Sequence, residues 1–402
     1  MASVIVVDSE LSDSLKEYAH IIDAANQNTE LSSALQPLVT GQDISDKQAV
    51  IAQLYKHSGA ETLRKLTDKE FEPSVYLLIH ILTQLSPSTL DDASSPLFKI
   101  ILETNPSEQP TIRDRKSIKS TTVLSILNTI FNLLPETSKT RTYILSQILH
   151  VVKVSNLDFS LIEKSIGLRL ITWLKQSGSS DEEIRSTFWK FITLDSRFSA
   201  KSLNLIKSFT ATYPLNASEL AQLITFSLSS DVVDVSFLVN NNVSNALGAN
   251  SQDKLVGIFT KFVQGELVQV TESEAEGLPF EKINAKSRIL SLAKFFSEQS
   301  SSAEHDSIIF KYNEIPNVSS TEDFETLLVD AIKSGVIEGK LNQVEETFYL
   351  TRVNRFVLAG NDQQNAKNWA DVRTALLEWR NSLTNINEIV KSSRENIVNS
   401  SN

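Results

Sequence analysis

Five histidines, His20, His57, His80, His150 and His305, stand at least 23 residues apart, and the chain has no cysteine. A helical histidine pair able to chelate a catalytic metal, as metalloproteases and metal-dependent deubiquitinases require, is therefore missing. Thiolate zinc sites, disulfides and cysteine nucleophiles are excluded outright. His80 and His150 fall within apolar helical patterns and read as packed core or boundary residues. No two of the 11 glycines sit at Gly-x-Gly spacing, which removes the dinucleotide fingerprint and the kinase-type loop. Gly335 to Lys340 comes close to a phosphate loop, but its glycines are one residue too near and Leu341 replaces the Ser or Thr such a loop needs. A helix end followed by a strand explains that stretch. Nor is there a nucleophile elbow. The expectation is a chain with no catalytic, cofactor or metal site, and not an enzyme.

Two other groups of residues point to recognition. Arg113, Arg115, Lys116 and Lys119 form the densest basic cluster, at the start of a helix whose apolar pattern runs from Ile118 to Leu134. They read either as a solvated helix start or as a contact for RNA or an acidic partner. Basic residues there oppose the helix dipole, a mild cost that favours a purpose. Near the C-terminus, Trp369, Val372, Leu376, Trp379, Leu383, Ile386 and Val390 alternate spacings of three and four, which puts all seven on one seam of a heptad-repeat helix. Either this helix folds back on its own domain, or the seam binds partner helices. Two tryptophans in a 3.5-residue period favour the second.

The elements that carry these groups can be read from the spacing of apolar residues. From 305 to 353, Ser307, Ile308, Ile309 and Tyr312 mark a short helical patch, and Ser320 caps a second helix with Asp323 at the capping-box position. In that helix Phe324, Leu327, Leu328, Ala331 and Ile332 make one apolar face. Gly335 stops it, and two strands follow, Val336–Leu341 and Thr347–Val353, around the polar turn Gln343–Glu346. Helix, turn, helix and two-stranded ribbon in that order are a winged helix. Its second helix carries Glu322, Asp323, Glu325 and Asp330 against Lys333 alone, and the turn adds Glu345 and Glu346. Such a surface would be repelled by DNA phosphates, so sequence-specific DNA binding is not expected and a protein partner is.

Upstream, residues 1–66 form short helices on Leu11, Leu15, Tyr18 and Ile22 and on Val50, Ile51, Leu54 and Tyr55. Apolar segments with turn chemistry between them then recur at 73–85, 97–102, 118–134, 143–154, 161–174, 182–194, 200–212 and 217–228. Asn240–Asn250 and the acidic stretch Thr271–Gly277 read as solvated loops, and 255–262 and 283–296 as helices. The fold class is mainly α: a helical-repeat array of antiparallel helix pairs leading into a winged helix, with a long C-terminal helix. The divisions are an N-terminal segment, 1–66, a repeat region, 67–198, a domain over 199–360 with the winged helix at about 305–355, and the terminal helix, 365–395. The net charge of −11 over 402 residues argues against a general binder of nucleic acid or anionic membranes. With no apolar run near the ~18 residues of a membrane span, the chain is expected to be cytoplasmic.

A helical array running into a winged helix and a long last helix resembles the PCI family, scaffold subunits of the proteasome lid, the COP9 signalosome and eukaryotic translation initiation factor three. The likeness is stronger to the initiation-factor branch. It rests on Lys286-Ser287-Arg288-Ile289-Leu290-Ser291-Leu292-Ala293, on Phe324 to Ile337, and on Trp369 to Leu383 with Leu376, Trp379 and Asn381. Weaker likeness reaches back through Leu170 to Trp189, so it covers roughly 160–390. The resemblance implies a noncatalytic subunit that joins other initiation-factor subunits through its winged helix and C-terminal helix. It also implies support for assembly on the small ribosomal subunit and for recruitment of mRNA and initiator tRNA. A lid or signalosome scaffold, or a winged-helix regulator that binds nucleic acid, are the alternatives.

Overall fold

The computed structural model describes residues 10–40, 43–44, 46–106, 117–271, 277–302, 309–354, 356, 360 and 362–400. They are mainly helical and divide into two compact units, Met1–Ser196 and Arg197–Asn402.

The first unit holds α1 (Leu11–Asn26), α2 (Glu30–Leu35), α3 (Lys47–His57), α4 (Ala60–Leu63), α5 (Asp68–Leu85), α6 (Pro96–Glu103), α7 (Ser120–Leu133), α8 (Lys139–Val154), α9 (Ser160–Ile166), α10 (Leu170–Gln176) and α11 (Asp181–Ile192). A two-residue hairpin, β1 (Val39–Thr40) with β2 (Asp43–Ile44), lies between α2 and α3. Neighbours in sequence pack as neighbours in space, α1 on α2, α7 on α8 and α10 on α11, and α5 packs on α7 across the intervening α6. Helix α5 starts five residues before the expected Pro73. Glu70 accepts the Thr67 amide at 3.0 Å and closes the helix there, so Pro73 is carried inside. The single helix expected over 161–174 is two. Its buried residues Ile162, Ile166, Leu170 and Leu174 recur every four residues, and in one straight helix they would drift around the axis. The break at Gly167–Arg169, with Leu168 out in solvent, resets them.

The second unit contains α12 (Ala200–Thr212), α13 (Ala217–Ser229), α14 (Asn241–Ala249), α15 (Lys254–Val263) and α16 (Phe280–Ser302), then β3 (Ile309–Lys311), α17 (Thr321–Lys333), β4 (Ile337–Asn342), β5 (Thr347–Val353) and α18 (Asp362–Ser400). The Asn-rich stretch expected to be a loop is α14. Asn240 caps it by accepting the Val243 amide at 3.1 Å, and Asn240 and Asn242 donate to Thr210 Oγ1 and its carbonyl at 2.8 Å each. Polar side chains that satisfy a helix start can look like loop residues in the sequence. The acidic residues Glu272, Glu274 and Glu276 lie outside the described residues.

The winged helix has three strands, antiparallel in the order β3-β5-β4, where two were expected. Ile309 and Tyr312 do not share a helix. Phe310 faces inward between outward Ile309 and Lys311, a period of two, and a single 3-10 turn at Tyr312–Glu314 follows. His305, Ser307 and Ile308 lie outside the described residues. Ser320 caps α17 as expected, accepting the Asp323 amide at 3.2 Å. Asp323 does not complete the box on Ser320; it accepts from the Ser319 amide and hydroxyl instead. Phe324, Leu328 and Ala331 from α17, Ile337, Phe348 and Leu350 from the strands and Phe296 from α16 close one core.

Candidate protein-docking surfaces

Three consecutive residues of α16 tie it to three neighbours. Lys286 Nζ donates to the Leu228 carbonyl at the end of α13 (3.2 Å), one turn from Lys282 Nζ, which reaches the Ser229 carbonyl and Asp231. Ser287 Oγ accepts the Val268 amide at 2.6 Å and donates to the Glu266 carbonyl. Arg288 Nη2 pairs with Asp323 on α17 at 2.7 Å. Burial, helped by Lys282, pulls the Lys286 ammonium down to about 8, and the Arg288 hydrogen bond draws the Asp323 carboxyl down to about 2. This triplet of the family resemblance is spent on holding the unit together.

The exposed side of the winged helix is acidic, as its sequence predicts. Lys333, the one base on α17, lies 3.7 Å from Asp330. Glu325 accepts from the Tyr312 hydroxyl (3.2 Å) and from Gln343 (2.9 Å), and burial followed by the Glu325 charge pushes the tyrosine up to about 12. Val329 and Ile332 are exposed among these acids, although Ile332 was expected on the buried face. On the outer face of the sheet Ile309 stands opposite Tyr349, both exposed, and Val344 at the wing tip is 95% exposed. Period-two alternation beside Phe310 is the signal that could have found Ile309.

Helix α18 is 39 residues long, about 58 Å at 1.5 Å per residue. Asn368 near its start is buried, and its amide donates to the Phe356 carbonyl at 3.4 Å. Beyond that anchor the seam lies in water: Trp369 is 67% exposed, Leu376 57%, Trp379 64% and Val390 58%, with Val372, Leu383 and Ile386 also exposed. Leu377 and Ile389, one step off the seam, are exposed too. Large side chains in an unbroken row rarely stay wet on a protein without a partner.

Of the basic cluster, Arg113, Arg115 and Lys116 lie outside the described residues. Lys119 precedes α7, where its amide donates to Asp68 (3.0 Å) and its Nζ lies 3.7 Å from the same carboxylate. His150 lines a groove of about 580 Å³ with Tyr143, Gln147, Lys99 and Glu103. Among the described residues, no three of His, Asp and Glu gather as a metal-binding set.

No protein-family model matches the chain. Eukaryotic translation initiation factor 3 subunit M of Emericella nidulans is 25% identical, over 99% of this chain and 91% of that protein. The subunit M proteins of Phaeosphaeria nodorum, 25% identical over 98% of this chain and 90% of theirs, and of Aspergillus oryzae, 24% over 99% and 89%, are similar in the same way. The likeness thus extends well beyond the 160–390 span expected from motifs. From the first helices to the exposed last one, the chain is similar to the M subunits of eukaryotic translation initiation factor 3.

Proposed function

We propose that this chain is a noncatalytic scaffold subunit of a cytoplasmic translation initiation factor 3 complex. In that role it supports assembly of the preinitiation complex on the small ribosomal subunit and recruitment of mRNA and initiator tRNA. The observation that carries this is the length of the likeness: it takes in 99% of the chain, the winged helix and terminal helix included. Residues 199–360 then act as a PCI domain behind the repeat region 67–198. Trp369, Val372, Leu376, Trp379, Leu383, Ile386 and Val390 dock on helices of other subunits, and Arg113, Arg115, Lys116 and Lys119 contact RNA or an acidic partner. The acidity of α17 supports contacts with protein over contacts with DNA. Among the described residues no helix is long and apolar enough to cross a membrane.

Affinity purification of the tagged full chain from its own cells tests this reading. Initiation factor 3 subunits and small-subunit ribosomal proteins are expected, and truncation after Gly360 should release them while the remaining chain stays folded. Recovery of lid or signalosome subunits without any initiation factor would overturn it.

A further inference from the structure

The heptad that sets Trp369, Leu376, Leu383 and Val390 at one core position of α18 also fixes what borders the seam. Directly after the other core position, that of Val372, Trp379, Ile386 and Ser393, come Arg373, Arg380 and Arg394, seven and fourteen residues apart, with Asn387 between the last two. The other border carries Ala375, Ser382 and Ile389, none of them charged. All three arginines are exposed, and none of their side chains has a hydrogen bond or ion pair to a described residue. In a chain of net charge −11, the most exposed apolar seam is thus edged on one side by cations.

In paired helices the positions beside the seam choose the partner and its direction, because each lies against a bordering position of the facing helix. A second copy fits badly. Packed antiparallel, it would set one arginine edge against the other; packed parallel, it would set the arginines against Ala375, Ser382 and Ile389. Neither arrangement brings in a carboxylate. We infer that α18 docks a helix of a different protein, whose own apolar seam is bordered by Asp or Glu at the positions facing Arg373, Arg380 and Arg394. This rests on the seam being the docking face proposed above. It adds the charge of the occupant and excludes self-pairing.

Two synthetic helical peptides of matching length test it, with the same Leu and Ile seam and either Glu or Lys at the bordering positions, titrated into the full-length chain at physiological salt. The Glu peptide should bind about tenfold more tightly, since several exposed pairs of a few-fold each change from attraction to repulsion. The triple variant R373E/R380E/R394E, altered only at exposed positions, should keep its melting temperature and reverse the preference. Equal affinities, or a preference for Lys in the unaltered chain, would sink the inference. So would self-association of the free chain that the triple variant abolishes. A uridine oligonucleotide that displaces the Glu peptide and fails to bind the triple variant would reassign the edge to RNA. Purification from cells separates this inference from the broader reading. If the unaltered chain brings down initiation factor 3 subunits and the triple variant retains them all, the acidic-partner idea fails and the family role stands. If neither brings them down while the peptide preference holds, the family role fails and the arginine edge stands.

Discussion

Helices α16 and α18 both belong to the second unit and both carry rows of large apolar residues, yet their surroundings are opposite. From Lys282 to Ser297 only Ala285 of α16 is exposed, whereas from Trp369 to Asn396 in α18 every residue is exposed except Asp371 and Glu378, which are half-buried. Helix α16 meets the end of α13, the 266–270 segment and α17 on different sides, so its buried residues run around the axis: Ile283, Ile289, Leu290, Leu292, Ala293 and Phe296. Helix α18 keeps seven large apolar residues on one narrow seam, with Leu377 and Ile389 one step to its side. A helix that must satisfy several neighbours loses a clean stripe; a strict heptad signals a single mate, and among the described residues that mate is missing.

The comparison can be broken most forcefully in the core. Phe296 is fully buried, 4.8 Å from the Phe310 ring and 5.4 Å from Phe348. Phe296→Ala should cost about 3–5 kcal/mol in denaturant unfolding, and a loss under about 1 kcal/mol would mean that α16 is not the keystone of the winged helix. Gly339 in β4 comes next. A Cβ there would strike the Phe348 ring and the Tyr349 carbonyl oxygen, at a register shift between β4 and β5. Gly339→Ala should cost about 1–3 kcal/mol by overpacking, read as a lower melting temperature.

A smaller effect comes from Lys286, whose pKa of about 8 lies below the 10.5 of a free lysine. Between those values the unfolded chain keeps a proton that the folded chain gives up, so the folded state gains as pH rises. Measured against Lys286→Met, the unaltered protein should become relatively more stable from about pH 8 to about pH 10; a flat difference would show that burial does not burden this ammonium. The smallest effect should come from the seam. Trp379→Ala in the free chain should change stability by no more than about 0.5 kcal/mol, while weakening association by about 2–4 kcal/mol. A large loss of stability in the free chain would place the seam in the protein's own core and erase the contrast with α16.

Periodicity located elements well where one stripe faced one core. The residues Ala200–Thr212 and Thr347–Val353 have the same limits in sequence and structure. It failed where a short segment held too few residues to define a period, as at Ile309–Lys311, and where side chains did work usually done by the backbone, as at Asn240. It also missed the break at Gly167, because a four-residue repeat of buried positions looks continuous until its drift is counted. The seam of α18 was legible because nothing within the chain distorts it. The exposure of Val329, Ile332 and Val344 was not, since each is an ordinary apolar residue whose surroundings are set by how α17 and the wing sit over Phe296 and Phe348.

The placement of the chain's four tryptophans gives the molecule two optical channels. In the first unit Trp189 is buried and Trp173 lies 4.9 Å from the Phe131 ring, so their emission follows the packing of the repeat helices. Trp369 and Trp379 stand in water on α18, and their emission must move to shorter wavelength when an apolar surface covers them. Replacing the first pair with phenylalanine would leave an unlabelled chain whose fluorescence colour reports occupancy of its last helix.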